Sequence, residues 1–95
     1  MYASVRQYRV TDAGAIARRI DEEFLGIIRE VPGFSAYYVV DGDDGSLVTV
    51  TLADDQAGVE DSANRAANWI SENQDVADLI QGSPNVTNGE VRAQA

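Results

Sequence analysis

An acidic, glycine-containing turn separates two runs of β-branched and aromatic residues in the middle of the chain, and this arrangement limits the fold most strongly. Phe34–Val40 precedes the turn, Asp41–Gly45 forms it, and Ser46–Ala53 follows it. Such runs favour extended strands. A short Asp/Gly connection between two of them is typical of an antiparallel hairpin. The chain is therefore expected to contain a β-sheet that includes this hairpin.

A helical pattern precedes the hairpin. Apolar residues recur every three or four positions over about five turns, at Ile16, Ile20, Phe24, Ile27 and Val31. Thr11 and Asp12 offer side-chain oxygens to the free amides at the start of this helix. Pro32-Gly33 is expected to end it, because proline lacks the amide hydrogen that a helix interior needs.

A second helical pattern follows the hairpin. Asp54 and Asp55 are candidate caps, and the helix is expected to run to about Asn73. Its inner stripe is predicted at Val59, Ala63, Ala66, Ala67 and Ile70. Trp69 lies at the flank of that stripe. A short amphipathic turn at Val76, Leu79 and Ile80 completes the helical part.

Two further strands are predicted, one at each end of the chain. Tyr2–Val10 is the first strand, and Val86–Ala93 is a weaker last strand after the breaking sequence Gly82-Ser83-Pro84-Asn85. The resulting order β-α-β-β-α-β is the ferredoxin-like α+β pattern, an antiparallel sheet with both helices on one face. With 95 residues, residues 1–95 are expected to form a single domain.

The composition excludes several classes of function. Acidic residues outnumber basic ones 16 to 7, which gives a net charge of −9, and every basic residue is arginine. Such an acidic chain would repel the phosphates of nucleic acids and an anionic membrane. No signal-type segment and no run of roughly 20 apolar residues occurs. A cytoplasmic protein that binds neither nucleic acid nor membrane is the expectation.

The chain contains no cysteine and no histidine. Disulfides, thiolate nucleophiles and Cys/His metal sites therefore have no residues to form them. The EF-hand pattern also fails at the acidic turn, since Ser46 and Leu52 stand where a calcium loop counted from Asp41 needs glycine and glutamate. We expect no metal and no cofactor.

The side chains on the two faces of the predicted sheet favour a homodimer. Two helices cover only one face, and side chains alternate between faces along a strand. On the first strand of the hairpin, one side should carry Phe34, Ala36, Tyr38 and Val40, and the other side Ser35, Tyr37 and Val39. On the second strand, one side should carry Val48, Val50 and Leu52, and the opposite side Leu47, Thr49, Thr51 and Ala53. One face is strongly apolar and suits the helices. The other mixes aliphatic, hydroxyl and aromatic groups, as a face that meets a second sheet in a homodimer or lines a cavity would. The alternative is a lone domain with a threonine-rich outer face.

The order of these segments resembles a known family. Val31-Pro32-Gly33-Phe34 leads into Tyr37-Tyr38; the Asp/Gly hairpin and a Val/Thr strand follow. Asp54-Asp55-Gln56-Ala57 then opens a helix that contains Ala66-Ala67-Asn68-Trp69-Ile70. Together these segments resemble the antibiotic biosynthesis monooxygenase-like proteins of the dimeric α+β barrel superfamily, over nearly the whole chain.

The resemblance implies a homodimer in which two sheets pack face to face into a barrel, with a pocket between each sheet and its helices. Some members of that family oxygenate aromatic polyketides without metal or flavin, and others bind and degrade haem. The haem-degrading branch holds iron through a helical histidine, and this chain has none. The cofactor-free branch uses Asn, Trp and Tyr side chains around an electron-rich phenol, and all three residue types occur here.

Six residues are candidates for a site. Tyr37, Asn64 and Trp69 are the catalytic candidates, and Tyr38, Asn68 and Arg6 are the candidates for binding a small aromatic substrate. Each has a structural alternative: core packing for Trp69 and the tyrosines, solvent exposure for the asparagines, and a rim ion pair for Arg6, Arg9 or Arg92. The tyrosine hydroxyls suit hydrogen-bond donation better than base catalysis, because the ordinary pKa of tyrosine is about 10.

Two functional hypotheses from different classes follow. The first is a small-molecule-binding, monooxygenase-like protein, in one form a cofactor-independent oxygenase of a phenolic substrate. The second is a non-catalytic ligand-binding or interaction module with the same fold, and a related option is a subunit whose site another protein completes. The sequence leaves open whether the protein is an enzyme. A roomy, polar-lined cavity would favour the enzyme, whereas a cavity closed by Phe34, Tyr37 and Tyr38 would favour the module.

Overall fold

The computed structural model describes residues 1–95. Four strands form one sheet, β1 (Tyr2–Val10), β2 (Phe34–Asp41), β3 (Ser46–Ala53) and β4 (Ile80–Glu90). The strand order is β2-β3-β1-β4, and every neighbouring pair is antiparallel. This topology confirms the predicted ferredoxin-like α+β fold. No helix of the protein combines the length and the apolar character that a membrane span requires.

The first helical segment is interrupted by a π-helical turn. It consists of α1 (Ala13–Arg19), the π turn Ile20–Phe24, and α2 (Leu25–Ile28). Asp12 caps it by accepting a hydrogen bond from the amide of Ala15 at 3.0 Å. The π turn contains an additional residue, so the buried stripe keeps a spacing of four and reaches Ile28. The prediction of Ile27 as the buried residue is therefore wrong, and Ile27 is only partly buried.

The predicted hairpin is present, with one irregularity. Strands β2 and β3 pair from Val40↔Val48 to Phe34↔Ala53, and the register shifts between Phe34 and Ala36. This bulge at Ser35 brings Phe34 to the same side as Tyr37 and Val39, where it packs on the core. The prediction that Phe34 shares a face with Tyr38 is wrong, because a bulge adds one residue to the alternation.

The long helix α3 (Gln56–Glu72) begins at Asp55, whose carboxylate accepts a hydrogen bond from the amide of Gly58 at 3.0 Å. Its end confirms the predicted boundary near Asn73. Trp69 is a core residue with 6% of its surface exposed, so its predicted place at the flank of the stripe is wrong. Ala67, predicted in the inner stripe, is exposed.

The last strand is longer than predicted and begins earlier. After the short helix α4 (Gln74–Ala77), the chain enters β4 at Ile80, so the predicted break at residues 82–85 lies within the strand. A register shift opposite Gln7–Arg9 accommodates these residues, and Gly82 has a positive φ of 72°. Because β4 ends at Glu90, Arg92 lies beyond the strand on which it was predicted.

The helices cover the face of the sheet that carries the hydroxyl groups. This covered face includes Ser4, Arg6, Tyr8, Tyr37, Leu47, Thr49 and Thr51, and the helices bury most of these side chains. The opposite, uncovered face is aliphatic and aromatic at Val5 and along β2 and β3, where it includes Ala36, Tyr38, Val40, Val48, Val50 and Leu52. It is polar elsewhere on β1 and β4, at Gln7, Arg9, Asn85 and Thr87. The prediction that the more apolar face suits the helices is therefore wrong. On β3 the threonines pack under the helices, and the valines lie on the uncovered face.

Candidate functional site

A small apolar chamber lies between the covered face and the helices. Its volume is about 20 Å³, and eleven of its twelve lining residues are hydrophobic, Thr49 being the exception. Such a volume holds about one water molecule. The chamber is therefore almost filled by the protein's own side chains.

Three aromatic side chains form the wall of this chamber. The ring of Phe24 meets Tyr37 edge-on, with 5.8 Å between the centroids, and it lies 5.5 Å from the ring of Trp69. Both arrangements are favourable geometries for aromatic pairs. The π turn at Ile20–Phe24 directs Ile20 and Phe24 into the chamber, and α3 supplies Trp69. Each of the two helical segments thus contributes one ring, and Phe24 pairs with both Trp69 and the tyrosine of β2.

An open cleft of about 390 Å³ adjoins the chamber at the β1–β4 end of the covered face. Arg6 and Tyr8 of β1 form its floor, Ile70 and Ser71 of α3 form one wall, and Ser83 and Pro84 of β4 form the other. Tyr8, Ile70 and Ile80 line both the cleft and the chamber. The cleft has a volume typical of small-molecule sites, and these shared residues separate it from the aromatic wall.

Arg6 is the one charged residue of the cleft. It is partly buried and forms no ion pair, whereas Arg19, Arg65 and Arg92 each pair with a carboxylate. Arg92 meets Glu90 at 3.7 Å on the surface, and Arg9 donates to the carbonyl of Asp44 at 3.4 Å. The cleft therefore presents a guanidinium without a carboxylate partner inside a strongly acidic protein.

Tyr37 is held in its neutral form. Burial, and next the neighbouring Tyr8, raise the pKa of the Tyr37 hydroxyl well above its ordinary range, while Thr49 and Arg6 oppose the shift. A hydroxyl that keeps its proton donates a hydrogen bond and does not act as a base.

The structure brings together three of the six predicted site residues. Tyr37 and Trp69 line the chamber, and Arg6 lies in the adjoining cleft. Asn64 and Asn68 are exposed on α3, away from both spaces, and Tyr38 is 57% exposed on the uncovered face. The predicted pair of neighbouring tyrosines is thus split between the two faces, as strand alternation requires.

Two residues that the sequence reasoning did not single out belong to the cleft. Tyr8 lines both the cleft and the chamber. Ser71 lies in the wall of the cleft, and its hydroxyl donates to the carbonyl of Asn68 at 2.8 Å. The spacing of Arg6 and Tyr8, two residues apart on one strand, signals that they share a face. Ser71 has no comparable signal, because its position depends on how α3 lies across the sheet.

Comparisons with known proteins agree on the fold. No known family profile matches the chain, and no curated protein matches it by sequence. Among solved structures, a Streptomyces coelicolor monooxygenase from the gene ActVA-Orf6, in complex with nanaomycin D, is similar, with a TM-score of 0.77 and 16% identity over 99% of this chain and 89% of the other.

Two further structures extend this similarity. SnoaB of Streptomyces nogalater, a cofactor-independent oxygenase, superposes with a TM-score of 0.72 and 14% identity, over 98% of this chain and 94% of the other. A dimeric ferredoxin-like protein from an uncultured marine organism gives a TM-score of 0.73 and 12% identity, over 99% and 90% of the two chains. The resemblance to the antibiotic biosynthesis monooxygenase-like proteins holds at the level of the fold.

Proposed function

We propose that this chain, which has the fold of the antibiotic biosynthesis monooxygenase-like proteins, is a homodimeric small-molecule-binding protein that oxygenates a phenolic aromatic substrate without metal or flavin. The observation that carries the proposal is the cleft of about 390 Å³, which adjoins the aromatic chamber between sheet and helices. Solved neighbours that are monooxygenases support it.

The proposed chemistry belongs mainly to the substrate. A phenol with a free para C–H reacts with one O₂ to give a para-quinone and one water. The ionised phenol gives an electron to O₂, and the two radicals combine as a ring peroxide. Cleavage of the O–O bond then leaves one oxygen on the ring and releases the other as water with the two hydrogens. Oxygen takes up four electrons in total, so no further reductant is needed.

The protein contributes position and exclusion of water. Ile70, Ile80 and Pro84 provide apolar surface for a flat ring in the cleft, and a fixed orientation lowers the entropy cost of the reaction. The neutral Tyr37 hydroxyl and the indole of Trp69 line the chamber beside the cleft, and a reacting ring would meet them only if the chamber walls moved. Donors of this kind stabilise negative charge that develops during the reaction.

The proposed homodimer rests on the uncovered face. Val5, Tyr38 and Val40 there are 37%, 57% and 51% exposed, and Val48, Val50 and Leu52 lie between them. A contiguous apolar surface of this kind marks an interaction site. A second copy offers the same surface, as a two-fold interface requires. The dimeric ferredoxin-like neighbour supports this arrangement, which leaves the cleft on the other side of the sheet accessible.

The test is oxygen uptake with a simple probe, 1-naphthol, by protein treated with a chelator and free of flavin. We expect formation of 1,4-naphthoquinone with one O₂ consumed for each molecule of product. Tyr37→Phe and Trp69→Phe should each lower turnover by about tenfold or more, the usual effect of losing a positioned donor. Tyr2→Phe, the same change on a tyrosine outside the cleft, should leave turnover unchanged.

Asn64 deserves a separate variant, because the sequence predicts a catalytic role and the structure exposes it. Unchanged turnover in Asn64→Ala would remove Asn64 from the site. Absence of turnover by the wild-type protein, together with absence of binding to 1-naphthol, would contradict the proposal as a whole.

A second candidate function, a non-catalytic binding protein with the same fold, is favoured by one specific observation. The chamber of about 20 Å³ cannot admit an aromatic ring without movement of its walls. A ligand would then stay in the outer cleft, away from Tyr37. Binding of 1-naphthol without oxygen uptake would identify this second function.

A further inference from the structure

We infer that the cleft selects aromatic ligands with one ionised acidic group, and that Arg6 is the specificity-determining residue that binds this group. The inference deepens the proposed function, since it names the class of molecule that the same cleft would take. The cleft is positively charged, whereas the protein as a whole is negatively charged. The chain carries 16 acidic and 7 basic residues, yet the residues that line the cleft include one arginine and no acid.

The position of Arg6 limits what can neutralise it. Arg6 lies on the central strand β1, on the covered face, between Thr49 of β3 and Val86 of β4. None of these neighbours is acidic, and the five ion pairs of the protein involve other arginines. A partly buried guanidinium without a carboxylate forgoes its strongest type of hydrogen bond. A ligand anion would supply that bond.

The surroundings of Arg6 define the rest of the ligand. Ile70, Ile80 and Pro84 present apolar surface, and Ser71 and Ser83 are polar residues of the walls. A flat apolar body therefore fits the cleft, and a carboxylate at one end would meet the fork of the guanidinium bidentately. Because the protein carries a net charge of −9, a ligand with several negative charges would be repelled more strongly than one with a single charge.

The experiment compares two probes of nearly identical shape. 2-Naphthoate carries a carboxylate, and 2-naphthamide is its neutral counterpart; binding is followed by calorimetry and by the fluorescence of the one tryptophan, Trp69. We expect the naphthoate to bind roughly 10- to 100-fold more tightly, the range expected of a hydrogen-bonded charge pair. The preference should shrink when NaCl rises from about 0.05 to about 0.5 M, as screening by salt requires.

Variants assign the effect to Arg6. Arg6→Gln should remove the preference for the carboxylate and leave the affinity for the amide nearly unchanged, while Arg6→Lys should restore part of the preference, because it keeps the charge but loses the fork. The matched control is Arg18→Gln, which removes the same charge from the exposed surface of α1 and should bind naphthoate like the wild type. Circular dichroism of each variant verifies the fold, and Arg6→Lys keeps the test decisive if Arg6→Gln does not fold.

Several outcomes would overturn the inference. Equal affinity for naphthoate and naphthamide would show that the cleft does not distinguish a charged ligand from a neutral one. An equal loss of naphthoate affinity in Arg18→Gln would show an effect of net charge only. No binding of either probe up to about 1 mM, the weak limit of specific sites, would do the same. Oxygenation of 1-naphthol is measured separately. Selective naphthoate binding without turnover would contradict the proposed oxygenase and keep this inference. Turnover of 1-naphthol together with equal binding of naphthoate and naphthamide would keep the oxygenase and overturn this inference.

Discussion

The two faces of the sheet are made from the same four strands but differ in their side chains and in what covers them. The covered face places hydroxyls and a guanidinium under the helices, where Ser4, Thr49 and Thr51 are each less than 7% exposed. The uncovered face presents valine, leucine and tyrosine to its surroundings. Polar groups are normally placed on the wet side of a sheet. The reversed arrangement is the one that the proposed site on the covered face and the proposed homodimer through the uncovered face would require.

This difference also separates two sources of stability. On the covered face, Phe24, Ile28, Leu47 and Val76 are almost fully buried within one chain. The exposed apolar groups of the uncovered face gain little until a partner covers them. The fold of one chain should therefore depend on the covered face, and its assembly on the uncovered one.

Truncation of a side chain on each face gives the largest expected contrast. Phe24→Ala should lower the free energy of unfolding by about 3–5 kcal/mol, because it removes a ring that is 1% exposed and leaves a cavity. Val40→Ala, at a residue 51% exposed, should cost less than about 1 kcal/mol in dilute protein. Urea denaturation measures both. Equal losses would show that the two faces do not differ in this way.

A charge on the uncovered face should disrupt assembly and leave the fold intact. Val50→Glu places a carboxylate in the middle of that face, and we expect the proposed dimer to weaken by at least about 100-fold, or roughly 2.7 kcal/mol. Val86→Glu, a change at an exposed valine of the edge strand β4, is the control and should keep the dimer. Light scattering after size-exclusion chromatography reports the mass. A wild-type monomer would reject the proposed homodimer outright.

Two buried serines differ in whether the hydroxyl has a hydrogen-bond partner. The hydroxyl of Ser4 has no hydrogen-bond partner, whereas that of Ser62 donates to the carbonyl of Val59 at 2.8 Å. Ser4→Ala should therefore stabilise the protein by up to about 1 kcal/mol, and Ser62→Ala should destabilise it by about the same amount. Thermal unfolding compares the two. Destabilisation by Ser4→Ala would mean that its hydroxyl has a partner, such as a buried water.

The smallest effect concerns pH. Burial raises the pKa of Tyr37 above its ordinary value of 10.0, so the folded protein keeps a proton that the unfolded chain loses above about pH 10. Stability from this group is complete below that pH and decreases as the pH rises further. Tyr37→Phe should make the alkaline decrease in stability shallower, as measured by urea denaturation between pH 8 and 11. An unchanged slope would show that Tyr37 titrates normally.

Much of the fold could be predicted because local signals decided it. The Asp/Gly turn specified the hairpin, and Asp12 and Asp55 marked the starts of helices through their side-chain oxygens. The π turn at Ile20–Phe24 and the bulge at Ser35 had no such signal, since each adds one residue to a regular period through tertiary packing. For that reason Ile27 was predicted in place of Ile28, and Phe34 was assigned to the wrong face.

The site was less predictable than the fold. Tyr37 and Trp69 line the chamber and Arg6 the adjoining cleft, from strands and a helix that are distant in sequence; their roles stay predictions. Asn64 and Asn68 were chosen for their chemistry, but α3 turns them outward. Composition also favoured the wrong face for the helices, because alternation shows which residues share a face and says nothing about what covers it.

The central place of β1 has a consequence for how the protein is made. This strand is the first to be synthesised, yet both of its partners, β3 and β4, lie far downstream. Contacts of such large sequence separation slow folding. While translation proceeds, β1 cannot complete its ladder until residues 80–90 have left the ribosome, so its apolar side stays accessible to aggregation and to chaperones throughout elongation. The net negative charge makes incompletely folded chains repel one another, and this repulsion opposes aggregation while β1 is unpaired.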